Sequence, residues 1–165
     1  MSRITVNTTG TQPTLLISTD IPVDPSTGTI TAPLNVTCLQ DVTVTNSTGI
    51  FSWTDFCSTD TSKITTPADN EISTNMVIDG EKFFGTGAGS DAAGLGIAGM
   101  SQDKVKVYFK LILNGDDSTS DAFWYTGVGY ISSIAPTVAA DSPVWVSPMS
   151  IAVDGRLYPG QNPTV

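Results

Sequence analysis

Lys104–Leu113 reads Lys-Val-Lys-Val-Tyr-Phe-Lys-Leu-Ile-Leu, and this alternation restricts the fold more than any other feature of the chain. In an extended strand Val105, Val107, Phe109, Leu111 and Leu113 share one face, while Lys104, Lys106 and Lys110 mark the other. Asn114-Gly115 follows, a hairpin signal prolonged by Asp116-Asp117-Ser118-Thr119-Ser120, so a return strand is expected from about Ala122 to Ile134. Ile72, Thr74, Met76 and Ile78 form another period-2 run. Val42 and Val44 alternate with Asp41, Thr43 and Thr45. After the turn Asn46-Ser47-Thr48-Gly49, the aromatic run Ile50–Phe56 reads as the second arm of a hairpin begun at Asp41. A final strand over Val144–Leu157 contains Pro148 and should be interrupted or at an edge.

The one helix candidate is Ser90–Gln102, with a weak apolar stripe of Leu95, Ile97 and Met100. Gly94, Gly96 and Gly99 each cost it about 1 kcal/mol relative to alanine. Residues 1–28 are polar and broken by Pro13, Pro22 and Pro25. They are expected to form an N-terminal arm or edge segment, with one short strand at Leu15–Ser18. Residues 57–71 are polar and almost without periodicity, which predicts a long extended loop; such loops in compact domains are usually functional or mobile. Everything fits a single domain over residues 1–165.

About a quarter of the chain is Ser or Thr, and only 14% is charged against 39% hydrophobic. That is too apolar for disorder and suits a chain that hides much of its surface in sheets or subunit contacts. Seven basic residues against sixteen acidic ones leave a net charge of −9, which argues against a nucleic-acid-binding protein reliant on a basic patch. No histidine is present, so Ser-His-Asp and Cys-His catalysis and His-ligated metals are excluded. No enzymatic role and no cofactor are expected. The N-terminal residues show no apolar signal-peptide core, and no run approaches the ~20 apolar residues of a membrane-spanning helix, so no membrane partner is expected. Cys38 and Cys57 lack the spacing of a zinc or redox pair and read as half-buried free thiols, with a disulfide the competing reading.

Other motifs have plain readings. Gly94-Leu95-Gly96-Ile97-Ala98-Gly99 spells G-x-G-x-x-G, but it does not follow a buried strand in a βαβ unit, and close packing of small residues explains it better. Asn114, Asp116, Asp117 and Asp121 lack the pattern of a calcium loop and read as a solvated hairpin tip. Asp69 and Glu71 lie in a polar loop with nothing to perturb them. The lysines at 104, 106 and 110 either face solvent as a guard against edge aggregation or meet acidic residues of a neighbouring copy.

Three C-terminal segments carry a resemblance: Gly127–Val138, Pro143–Ser147 and Ile151–Gly155. With Phe51–Asp55 and Ile72–Asp79 flanking the long loop, and Asp91–Gln102 before the central hairpin, the order of elements over about residues 35–157 resembles the major tail tube proteins of tailed bacteriophages. That resemblance implies an all-β fold, a mostly antiparallel β-sandwich or small barrel with one short flanking α-helix. It implies homohexameric rings stacked into a hollow tube, contacts with other tail proteins, and viral DNA passing through the lumen without specific binding. It also implies a place in the virion tail after assembly in the host cytoplasm. On this reading Thr59, Asp60, Lys63, Ile64, Pro67, Asp69 and Glu71 belong to a loop that reaches the adjacent ring. Lys104, Lys106, Lys110, Trp124 and Tyr130 belong to the sheet between subunits. The competing readings are another virion β-protein, such as a capsid decoration or tail-terminator protein, and an adhesin-like β-sandwich with a Cys38–Cys57 bridge.

Overall fold

The computed structural model describes residues 12–53, 61–115, 117–142 and 144–163. In chain order the strands are β1 (Thr14–Ser18), β2 (Leu34–Val36), β3 (Leu39–Asn46), β4 (Gly49–Trp53), β5 (Ser62–Thr66) and β6 (Asn70–Val77). Helices α1 (Gly80–Phe84) and α2 (Ala92–Gln102) come next, then β7 (Lys106–Ile112), β8 (Phe123–Ile134), β9 (Val146–Val153) and β10 (Tyr158–Gln161). Among the described residues eight strands make one antiparallel sheet in the order β2-β1-β7-β8-β9-β6-β3, with β10 also on β8. Among the described residues β4 and β5 pair only with each other.

The inner face of the sheet holds the main core. Leu15, Ile17, Phe109, Leu111, Ile131, Ile151, Ile72 and Met76 meet there, and Phe83 of α1 with Ile97 and Met100 of α2 close it on one side. The two outer strands, β2 and β3, are joined by Thr37 and Cys38 alone, so the sheet curls until its edges approach. It does not close into a barrel: β2 is only three residues long, and the link turns away at Cys38 with φ 62°. Among the described residues two short helices flank it rather than one. The second, α1, was not legible because it has five residues; Asp79 caps it by accepting from Glu81 N and Lys82 N, and Gly85 ends it.

The expected helix at Ser90–Gln102 is present as α2, with Asp91 accepting from Gly94 N at its start. It kinks at Gly96, whose φ of 65° is left-handed. A Cβ there would lie 2.2 Å from Gly85 N. The glycine motif thus lets two backbone segments touch.

The central hairpin is as the alternation predicts: β7 and β8 pair from Lys106↔Tyr130 to Ile112↔Trp124. Several other expectations change. Thr14–Ser18 is neither an arm nor an edge: it lies between β2 and β7, and all five residues are buried. Residues 24–30 then cross the outer face of β7 and β8, where Pro25 O accepts from Tyr108 Oη (3.1 Å) and Thr126 Oγ1 (2.7 Å). Gly28 and Gly160 press against the Trp124 ring from two segments. This makes a second small core of Leu16, Ile112, Ala122 and Trp124. β9 is an uninterrupted interior strand between β8 and β6. Pro148 lies opposite Asn75 of β6, and on its other side Pro148 O accepts from Ala135 N (3.3 Å) just past the last residue of β8, where the regular ladder gives way to an isolated bridge. The break falls later, between β9 and β10.

Candidate assembly interface

β3 does not pair back onto β4. It pairs with β6 as far as Asn46↔Asn70, and β4 pairs with β5 from Gly49↔Thr66 to Trp53↔Ser62. The two ladders are successive parts of one ribbon that leaves the sheet. The gap between them, Ser47-Thr48 against Pro67-Ala68-Asp69, is bridged by Ser47 Oγ, which donates to Asp69 O and accepts from Asp69 N. Asn70 is buried at the base and donates to Gly155 O at 3.0 Å. The expected extended loop over 57–71 is therefore β-structured from Ser62 onward; its polar sequence hid the strand because neither face is buried.

Directly opposed residues of an antiparallel pair share a face. Phe51, Trp53 and Ile64 lie on one side of the ribbon, with the Phe51 and Trp53 rings 6.0 Å apart, and Ile50 on the other side. Ile50, Phe51, Trp53 and Ile64 are 43–60% exposed. Of the loop residues singled out in the sequence, Lys63 and Ile64 sit in β5, Pro67 and Asp69 at the gap, and Glu71 on the outer face of β6. Thr59 and Asp60 lie outside the described residues, as does Cys57. Cys38 is exposed rather than half-buried.

The proposed sheet residues separate. Lys110 is buried on the outer face of β7, paired with Asp117 and 5.2 Å from the Trp124 ring, and Trp124 is itself covered. The chain's own residues 24–30 and β10 occupy the surface these two were expected to offer. Lys104 is in the turn before β7. Lys106 and Tyr130 are cross-strand neighbours and exposed, and Lys106 pairs with Asp154 at 2.7 Å. Its hydrogen bond to that carboxylate, then the charge beside it, raise the Lys106 pKa.

Beyond Tyr130 the outer face of β9, β6 and β3 is left uncovered by the described residues. It presents Ala152, Ser150, Ser73, Glu71, Thr43 and Thr45, cross-linked by polar contacts such as Asn75 Nδ2 donating to Asp41 Oδ2 (2.6 Å). Asp41, Glu71 and Asp154 outweigh Lys106 there. The exposed ribbon aromatics Phe51 and Trp53 are not among the interface residues that the sequence pattern singles out. The adjacency of Ile50 and Phe51, which forces apolar side chains onto both faces of a strand, was the available signal. The hairpin polar groups after β7 are engaged rather than simply solvated: Asn114 Oδ1 accepts from Phe123 N and Asp117 meets Lys110. Among the described residues no group of three or more His, Cys, Asp or Glu side chains is placed to hold a metal.

The architecture is an open, curled antiparallel sheet with two helices and a projecting ribbon. No protein-family model matches the sequence. No curated protein sequence matches it. Solved structures do share its fold. The tail of an empty gene transfer agent particle with C6 symmetry is 16% identical, with a TM-score of 0.56 over 87% of this chain and 92% of that one. The SPP1 tail tube is 14% identical, with a TM-score of 0.53 over 93% and 79%. The baseplate of the anti-feeding prophage, 6-fold symmetrised, is 10% identical, with a TM-score of 0.54 over 95% and 97%. The chain thus shares its fold with chains of these tail, tail-tube and baseplate assemblies.

Proposed function

We propose that this chain is a structural, non-catalytic subunit of a virion tail, forming hexameric rings that stack into a hollow tube. The observation that carries the reading is the ribbon. An isolated two-stranded ribbon is marginal in water, and each large apolar side chain left exposed forgoes about 1.5–3 kcal/mol of burial. A ribbon bearing Ile50, Phe51, Trp53 and Ile64 is therefore built to be covered by another copy. The edges at β2 and β3 gain partners when neighbouring sheets join, which removes their aggregation hazard. The bare outer face of β9, β6 and β3 then lines the lumen. Its hydroxyl groups and net negative charge let DNA pass without adhering. The hexameric order draws support from the six-fold assemblies that share the fold. Assembly takes place in the host cytoplasm, with other tail proteins as partners.

A baseplate component is the second reading, favoured by the near-complete overlap with the anti-feeding prophage chain; it stops at a single ring. Negative-stain electron microscopy of the concentrated full chain separates the two. Hollow, uniform tubes are expected. Single rings at every concentration support the baseplate reading, and monomers throughout overturn both. Phe51→Ser combined with Trp53→Ser should abolish tubes while leaving the thermal midpoint unchanged.

A further inference from the structure

The ribbon is one of two exposed apolar patches that lie at opposite ends of the same strand. The other is an open groove of about 420 Å³ formed by Val77, Ile78, Gly80, Phe84, Val144 and Trp145. Phe84, Val144 and Trp145 are 44–59% exposed. β6 starts at Asn70, at the base of the ribbon, and ends at Val77, in the groove. At about 3.3 Å per residue those ends are about 23 Å apart, and β5 lies beyond the first of them. The two patches of one molecule therefore do not meet. A displacement along the strand instead sets the ribbon of one copy over the groove of the next.

The two strands of the ribbon are nearly free of charge, as an apolar groove requires. The ten residues of β4 and β5 carry one charge, Lys63. In the sequence, Asp79, Glu81 and Lys82 fall between the groove residues Ile78 and Phe84, and Asp141 precedes Val144. The chemistry of the two surfaces also matches. Phe51, Trp53 and Ile64 offer an aromatic and aliphatic face, and Phe84 and Trp145 are aromatic partners for it.

We propose that the Phe84–Val144–Trp145 groove receives the ribbon of a second copy of this chain. The contact is heterologous, using different patches on the two molecules, and it repeats along the strand direction without closing. The proposal rests on the assembly reading above and names the surface that receives the ribbon.

Site-directed cross-linking tests it. In the full chain with Cys38→Ser and Cys57→Ser, the variant carrying Ile64→Cys and Val144→Cys is treated with a short bismaleimide, one that cannot span the two positions within one molecule. A ladder of multimers on a denaturing gel is expected, whereas each single-cysteine variant should give dimers at most. In the otherwise unaltered chain, Trp145→Asp should keep the thermal midpoint and lose longitudinal growth. A ladder without tubes keeps the contact and rejects the tube. Tubes without a ladder, or tubes formed by Trp145→Asp protein, overturn the contact and leave the tube reading standing. Neither ladder nor tubes overturns both.

Discussion

Trp124 shows how one side chain can be held by two segments distant in sequence. Gly28 and Gly160 lie against its ring, Lys110 stands over it, and its indole N–H has no hydrogen-bond partner among the described residues. Trp124→Ala should cost about 3–5 kcal/mol through the cavity it leaves. Trp124→Phe also removes an unsatisfied donor, so its cost should stay within about 1 kcal/mol; urea unfolding of the two variants measures the difference. Tyr108 is the neighbouring case. Burial raises its phenol above the ordinary value of 10.0, against a smaller lowering by the hydrogen bond with Thr126. The folded state therefore resists ionisation that the unfolded chain accepts. The contribution is fully present below about pH 10 and is lost as pH rises through the higher folded value. Tyr108→Phe should be less stable by about 0.5–1.5 kcal/mol near neutrality, through the lost bond to Pro25. It should also show a shallower alkaline loss than the parent chain in the same unfolding experiment.

Among elements, α2 is the one whose sequence looks least able to form it. Its glycines divide by role. Gly96 has φ 65° and touches backbone, so Gly96→Ala should destabilise the fold by at least about 2 kcal/mol. Gly99 is helical, and a Cβ there meets only Leu95 at 3.4 Å, so Gly99→Ala should be neutral or stabilising by up to about 1 kcal/mol. Thermal unfolding of the two variants checks the opposite signs. The strands teach a related lesson. β6 and β7 were legible because alternation is a local property of the pleat. β5 was not, because Ser62–Thr66 is exposed on both faces and has no apolar side to betray it. β1 was underrated because three consecutive apolar residues among prolines fit an arm as well as a strand buried on both faces.

For the whole molecule, charge opposes association. Copies carrying −9 repel one another, while the surfaces proposed to join them are mostly apolar. Raising ionic strength from about 0.01 to about 0.15 M shortens the screening length from about 30 to about 8 Å. The concentration at which assemblies appear in sedimentation should fall accordingly. Indole exposure gives an internal readout. Trp53 and Trp145 are 43% and 47% exposed and Trp124 is 7% exposed, so acrylamide quenching should drop on assembly.

Sequence alone determined the β character, the central hairpin, the helix near residue 92 and the absence of histidine chemistry, because each follows from local period or composition. Only the tertiary structure decided which strands are neighbours. β3 turns to β6 rather than to β4 because Val42 and Val44 pack beside the core that Ile72 and Met76 complete. Only the tertiary structure removed Lys110 and Trp124 from the surface, since what covers them comes from residues 24–30 and 158–161, far away in the chain. It likewise left the ribbon and the groove uncovered at opposite ends of one strand. Burial is a property of what lies across from a residue, and an alternating sequence specifies faces without specifying what will cover them.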